Sequence, residues 1–225
     1  MKFSLARPAL ALAVSAMLAS CGGGGKATFP ITVTVRNLQE TGLVLSSNGM
    51  DVPVTPANPV ADVTLSFPNQ IEYGQIYNVM PKGASTTSRG AQPEHQNCSP
   101  STSYPTNFLA SGTAGQLAKI QIYYDCVAVT YVLHGQVTGL TADGLTLTNG
   151  SNGPVAVAAN ATSFDMAAIG YNQPYGVSVL TQPTGLVCNV TGGNSPLNNG
   201  SGVMDETATL AGGVINLAVT CVPKP

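Results

Sequence analysis

An all-β chain of two tandem immunoglobulin-like or transthyretin-like β-sandwiches is predicted by three observations on the sequence. First, short runs alternate apolar and polar residues with a period of two, which places every second side chain on one face of a strand. Second, Gly, Pro, Asn and Asp punctuate those runs, with 25 Gly and 16 Pro in 225 residues, and this is turn chemistry at sandwich spacing. Third, the pattern recurs. Tyr73, Gln75, Tyr77 and Val79 spell Tyr-x-Gln-x-Tyr-x-Val, and Tyr171, Gln173, Tyr175 and Val177 spell it again 98 residues later. Leu38, Gly42, Leu43 and Leu45 recur as Leu140, Gly144, Leu145 and Leu147 at an offset of 102. Each is followed by a late pair of cysteines, Cys98 and Cys126 or Cys188 and Cys221, and three features repeating in one order imply duplication into two units of about 95 residues, each large enough for a sandwich core.

The N-terminus reads as an export signal over residues 1–20. Lys2 and Arg7 supply basic charge, and the uncharged stretch 8–20 is shorter than the ~20 apolar residues that span a bilayer. It ends in Leu18-Ala19-Ser20-Cys21, which resembles the bacterial lipobox. The resemblance implies cleavage before Cys21, diacylglycerol on its sulfur and fatty acyl chains of the palmitate kind. Such chains hold a protein at a membrane with about 0.8 kcal/mol per buried CH₂. Residues 21–28 then form the lipidated cysteine and a glycine-rich tether, Gly22 to Gly25 being flexible in composition. Related lipoproteins that stay in the inner membrane carry Asp directly after the acylated Cys. Gly22 occupies that position here, so the expected address is the cell envelope, lipid-anchored at the outer membrane.

Repeat 1 is expected over residues 29–127 and repeat 2 over 128–225. Alternation marks strands at 31–35, 60–67 and 119–124 in the first, and at 131–137, 145–148, 155–158, 175–180 and 215–220 in the second. With turn signals every 8 to 12 residues this predicts six to seven strands per unit of about 95 residues. Residues 127–130 are Val, Ala, Val and Thr, so the units join end to end with little hinge freedom. The second repeat, through Val137-Thr138-Gly139-Leu140, Leu180-Thr181-Gln182-Pro183-Thr184-Gly185-Leu186-Val187-Cys188 and Val219-Thr220-Cys221, is similar to a β-sandwich repeat of exported proteobacterial surface proteins and lipoproteins. That resemblance implies spacer or adhesive roles and transfers no catalytic residue.

Setting Cys21 aside leaves Cys98, Cys126, Cys188 and Cys221, an even number in an exported chain. Four cysteines allow three pairings. Because each half holds two of them, Cys98–Cys126 and Cys188–Cys221 are the expected disulfides, each stabilising by about 3 to 4 kcal/mol for loops of that length.

Composition narrows function further. Charged residues make up 8% and the net charge is −2, without a Lys or Arg run, so no nucleic-acid partner is expected. Hydrolase, calcium-loop and zinc-protease patterns are missing, so no catalytic residue and no cofactor are assigned. Glu94, His95 and Cys98 have a metal-like spacing, but a bridged Cys98 leaves only two candidates, and no metal is expected there. Asp205 and Glu206 are the only adjacent acidic pair and would face opposite ways in a strand. The recurring Tyr73, Tyr77, Tyr171 and Tyr175 are expected to pack their rings on the sandwich and bond backbone through their hydroxyls. A sugar-stacking platform is the sharper alternative. Tyr123, Tyr124 and Tyr131 are expected to seal the junction. His134 is expected at the surface of a strand. The candidate binding loop is 81–97, an insertion carrying Lys82, Arg89, Glu94 and His95, because long loops on rigid scaffolds often bind. The polar loop 189–202 is its counterpart and reads as mobile. The chain is thus expected to be a non-enzymatic envelope protein, an adhesion, spacer or assembly module, with a carbohydrate-binding lipoprotein as alternative. Its expected partners are the membrane, through the lipid anchor, and an envelope or host-surface protein or glycan.

Overall fold

The computed structural model describes residues 26–103, 108–150, 152–206 and 217–225. The signal segment, Cys21, residues 22–25 of the tether and positions 215 and 216 of the last expected strand lie outside the described residues.

Strands build the chain, and no α-helix occurs among the described residues. The first repeat runs β1 (Thr28–Phe29), β2 (Ile31–Arg36), β3 (Val44–Ser47), β4 (Met50–Pro53), β5 (Val63–Ser66), β6 (Ile71–Glu72), β7 (Ile76–Asn78), β8 (Met80–Pro81), β9 (Gln96–Pro100), β10 (Ser111–Thr113) and β11 (Ile120–Ala128). The second runs β12 (Thr130–Thr138), β13 (Leu145–Asn149), β14 (Asn152–Val157), β15 (Ser163–Gly170), β16 (Pro174–Thr181), β17 (Leu186–Thr191), β18 (Ser201–Val203) and β19 (Leu217–Pro223). The described strands outnumber the six or seven expected per repeat. In the first repeat the excess comes from short pairs at the margins, β1 with β6 and β7 with β10.

Alternation decides which face is buried. On β2, Ile31, Val33 and Val35 are fully buried while Thr32, Thr34 and Arg36 are half-buried. The outward threonines pair across to β5, Thr32 Oγ1 with Ser66 Oγ at 3.2 Å and Thr34 Oγ1 with Thr64 Oγ1 at 3.0 Å. On β11, Ile120, Ile122, Tyr124 and Cys126 point inward by the same rule. Each fully buried aliphatic side chain contributes about 1.5 to 3 kcal/mol.

One sheet of the first repeat has the order β5-β2-β11-β9, faced by β4-β3-β8. The second repeat has β15-β12-β19-β17 and β14-β13-β16-β18. Inward residues of both sheets merge into one core per repeat. One core joins Ile31, Leu45, Tyr77 and Ile122 among others, and the other joins Leu133, Leu147, Tyr175 and Val219. The β-sandwich architecture is therefore present in both halves. The first and second long strands of each repeat lie in opposite sheets, whereas an immunoglobulin constant sandwich keeps its first two strands side by side.

In one sheet of each repeat the central pair is parallel, β2 with β11 and β12 with β19, while the facing sheets are antiparallel throughout. Parallel partners need a long crossover, and here the rest of the repeat supplies it. A repeat whose first and last long strands run the same way takes the chain in at one end and releases it at the other. Val129 alone separates β11 from β12, so the second repeat starts where the first one ends.

Disulfides join Cys98 to Cys126 and Cys188 to Cys221, closing loops of 28 and 33 residues. Both are directly opposed cross-strand pairs, β9 on β11 and β17 on β19.

The tyrosines divide differently from expectation. Tyr124 is fully buried in the first core, and its hydroxyl donates to the Val79 carbonyl at 2.8 Å. Tyr123 meets Phe108 edge-on at 5.2 Å. These two do not seal the junction, because their strand register points one into the core and the other against Phe108. Tyr77 and Tyr175 are buried, but Tyr73 is 64% exposed, lying over Gly115 and tilted towards Phe29.

Candidate functional site

The junction of the repeats brings Glu40, Glu94, His95 and Glu206 together, and the local backbone explains why. Gln96, buried at the start of β9, accepts the N–H groups of Gln39 and Glu40 on Oε1 at 2.8 and 3.1 Å and donates from Nε2 to the Asn37 carbonyl at 2.8 Å. This ties segment 37–40 to the turn before β9. Arg89 closes that turn from the other side, donating from Nη2 to the carbonyls of Pro93 and Gln96 at 3.1 and 2.6 Å.

Glu40 then grips His95 twice. One carboxylate oxygen accepts the His95 backbone N–H at 3.1 Å, and the other lies 3.3 Å from Nδ1. The His95 carbonyl accepts the Val129 N–H at 2.7 Å, and the Val129 carbonyl accepts the Tyr171 N–H at 2.8 Å. That two-step ladder carries Tyr171 of the second repeat onto the imidazole. The rings stack with centroids 3.6 Å apart and planes 4° from parallel. Tyr131 meets Tyr171 edge-on at 6.4 Å. The His95 side chain is 14% exposed, and its Nε2 faces Glu206 Oε2 at 3.5 Å.

Glu94, His95 and Glu206 thus offer ligand atoms that all lie within 4.8 Å of one another. The reading that left only two metal candidates near residue 95 is corrected here, because the fold brings Glu206 from the other repeat. The acidic field of this cluster is felt by its neighbour. Loss of solvent raises the Tyr131 phenol first, and Glu206, Tyr171 and Glu94 add to the rise while Arg89 opposes it.

The candidate loop is divided by the fold. Glu94 and His95 enter the junction, and Arg89 holds their turn in shape. Lys82 instead pairs with Asp51 of β4 at 2.7 Å, lowering the Asp51 carboxyl chiefly through that hydrogen bond and next through Ser46. The polar loop 189–202, expected to be mobile, is cross-tied at Asn194. Its Oδ1 accepts the Val203 N–H at 2.8 Å, its Nδ2 donates to the Val203 carbonyl at 2.7 Å, and its N–H donates to the Tyr175 hydroxyl at 3.0 Å. Because Tyr77 and Tyr175 turn their rings into the cores, the four repeated tyrosines do not form a stacking platform for sugars. His134 sits on the outer face of β12, with Nδ1 2.6 Å from Asp165 Oδ1 on the neighbouring strand.

For three participants, Glu206, Glu40 and Tyr171, the sequence carried no sign that they meet His95. Glu206 lies 111 residues from His95, and no motif links them. Glu40 is an isolated acid. Tyr171 was visible only as a copy of Tyr73, whose environment it does not share.

No family model matches the chain, and no curated protein matches it. Among solved structures, the chain has a likeness to the major pilin protein (T3.2) from Streptococcus pyogenes at 11% identity and a TM-score of 0.21, covering 86% of this chain and 96% of that one.

Proposed function

We propose that the chain is a non-enzymatic, lipid-anchored protein of the bacterial cell envelope, held at the outer membrane through Cys21, whose two repeats act as a spacer for adhesion or assembly. The observation that carries this reading is the parallel pairing of first and last long strands in both repeats, joined through the single residue Val129. Such a plan extends the molecule by one repeat length and carries the second repeat away from the tether. A junction buttressed by the His95–Tyr171 stack favours a strut over a hinge.

The disposition of polar side chains supports the non-enzymatic part. Arg36 bonds Asp125, Lys82 bonds Asp51, Arg89 caps carbonyls and the buried Gln96 closes a turn, so these groups serve the scaffold. The partner in this reading is an envelope or host-surface protein reached by the far repeat, with the membrane bound through acyl chains.

Fractionation of cells expressing the full chain or its Cys21→Ser form tests the anchor. The proposal predicts the natural chain in the outer-membrane fraction and the variant in the soluble fraction. Equal distribution of the two contradicts it.

A further inference from the structure

We propose that the junction between the repeats is a binding site for a first-row divalent cation of the Zn²⁺ class, ligated by His95 Nε2 and by the carboxylates of Glu94 and Glu206. This goes beyond the envelope reading and depends only on the geometry of the junction.

The donor set fixes the class of ion. An imidazole nitrogen with two carboxylates suits zinc and its neighbours, whereas calcium and magnesium take six or more oxygens. Ligand atoms around a tetrahedral zinc lie about 3.4 Å apart, given bonds of about 2.0 to 2.2 Å. His95 Nε2 and Glu206 Oε2 are already 3.5 Å apart. All three ligand atoms fall within 4.8 Å, and the Glu94 and Glu206 side chains are exposed enough to close the remainder by rotation.

The imidazole is prepared for this task independently of the two ligating acids. Glu40 lies 3.3 Å from Nδ1 and also accepts the His95 backbone N–H, while Tyr171 stacks flat on the ring. The Glu40 carboxylate beside Nδ1 favours the tautomer protonated there, which leaves the lone pair of Nε2 for the metal, as in carboxylate–histidine–metal sites. Three protein ligands leave a position for water, or for a donor from a partner.

The consequence is mechanical. Two ligands come from the first repeat and one from the second, so an ion bound here clasps the two repeats together. Since His95 already touches Tyr171 and Glu206, the ion tightens an existing contact.

Isothermal titration of Zn²⁺ into the full chain is the test, with circular dichroism confirming that each variant keeps its strands. The expected result is one Zn²⁺ per chain, weakened by about tenfold or more in Glu206→Gln and in Glu94→Gln and by about ten- to a hundredfold in Glu40→Gln. Glu206 is at the surface, so its variant keeps the test meaningful if His95→Gln fails to fold. His134→Asn should bind as the natural chain does. Absence of saturable binding at millimolar Zn²⁺, affinity unchanged in both Glu94→Gln and Glu206→Gln, or loss of binding in His134→Asn would each overturn the proposal.

Discussion

Gln182 pairs with both main-chain polar groups of Cys188, its Nε2 donating to the carbonyl at 2.9 Å and its Oε1 accepting the N–H at 2.7 Å. Gln92 does the same to Cys98, at 2.8 and 2.9 Å. Strands β9 and β17 are the edges of their sheets, and each cysteine stands directly opposite its disulfide partner on the inner neighbour. Its N–H and carbonyl therefore point away from that neighbour, where an edge strand has no ladder to join. The glutamine amide supplies both missing partners. In each repeat the disulfide is thus clamped on one side by sulfur and on the other by an amide.

Gln182→Ala should destabilise the chain by about 1 to 3 kcal/mol, because two half-buried backbone groups lose their partners at once. Urea unfolding of the variant checks this. Gln182→Glu keeps an acceptor for the Cys188 N–H but faces its carbonyl with a second oxygen, and should be no better than alanine.

Burial pushes up the phenols of Tyr124, Tyr77 and Tyr175, desolvation being the main cause in each. Unfolded tyrosines ionise near pH 10, while the folded ones hold their protons longer. The stabilisation is therefore complete below about pH 10 and is lost as pH climbs towards the folded values, at about 1.4 kcal/mol per pH unit for Tyr124. Tyr124→Phe should cost about 1 kcal/mol at pH 7 through its lost bond to the Val79 carbonyl. That deficit should shrink at pH 11, because the variant has no phenol to ionise. Urea midpoints at the two pH values give the comparison.

Gly135 stands opposite Phe164 in the β12–β15 register, and a Cβ there would run into the Phe164 ring and approach Leu217 Cβ to 3.1 Å. The ring lies over the glycine as a cross-strand lid. Gly135→Ala should push Phe164 from its packed position and cost about 1 to 3 kcal/mol, with Phe164→Leu partly restoring the double variant. A thermal-unfolding cycle of the natural chain, the two single variants and the double variant tests the coupling. Additive losses would show that the ring and the glycine act separately.

How far the chain could be read without coordinates depended on the range of each interaction. Period-two alternation is local, so the all-β class was legible in Ile31-Thr32-Val33 and Lys119-Ile120-Gln121-Ile122. The Gln-Pro-x-x-x-x-Cys spacing shared by Gln92 to Cys98 and Gln182 to Cys188 is also in the sequence, but the spacing by itself does not say that the amide bonds the cysteine backbone. The parallel pairing of first and last strands has no local signature. Nor has the approach of Glu206 to His95, which needs both repeats and their junction in place. Tyr73 and Tyr171 are equivalent in sequence, and their backbone N–H groups bond equivalent carbonyls, Ala27 and Val129 at 2.7 and 2.8 Å. Only Tyr171 has a histidine to stack on, because only the second repeat has another one before it.

If the junction is a strut, the molecule in solution should be long. Small-angle scattering should give a radius of gyration clearly above the ~16 Å of a compact chain of about 200 residues. A value at the compact figure would mean that the repeats fold back on each other.

Intact mass spectrometry of the protein extracted from its native membrane, before and after reduction, reaches the central proposal most directly. The predicted species begins at Cys21, carries diacylglycerol and acyl chains on that residue, and gains the hydrogens of two disulfides on reduction. A chain that keeps residues 1–20, or begins elsewhere, or bears an unmodified Cys21, would contradict the account of a lipid-anchored strut.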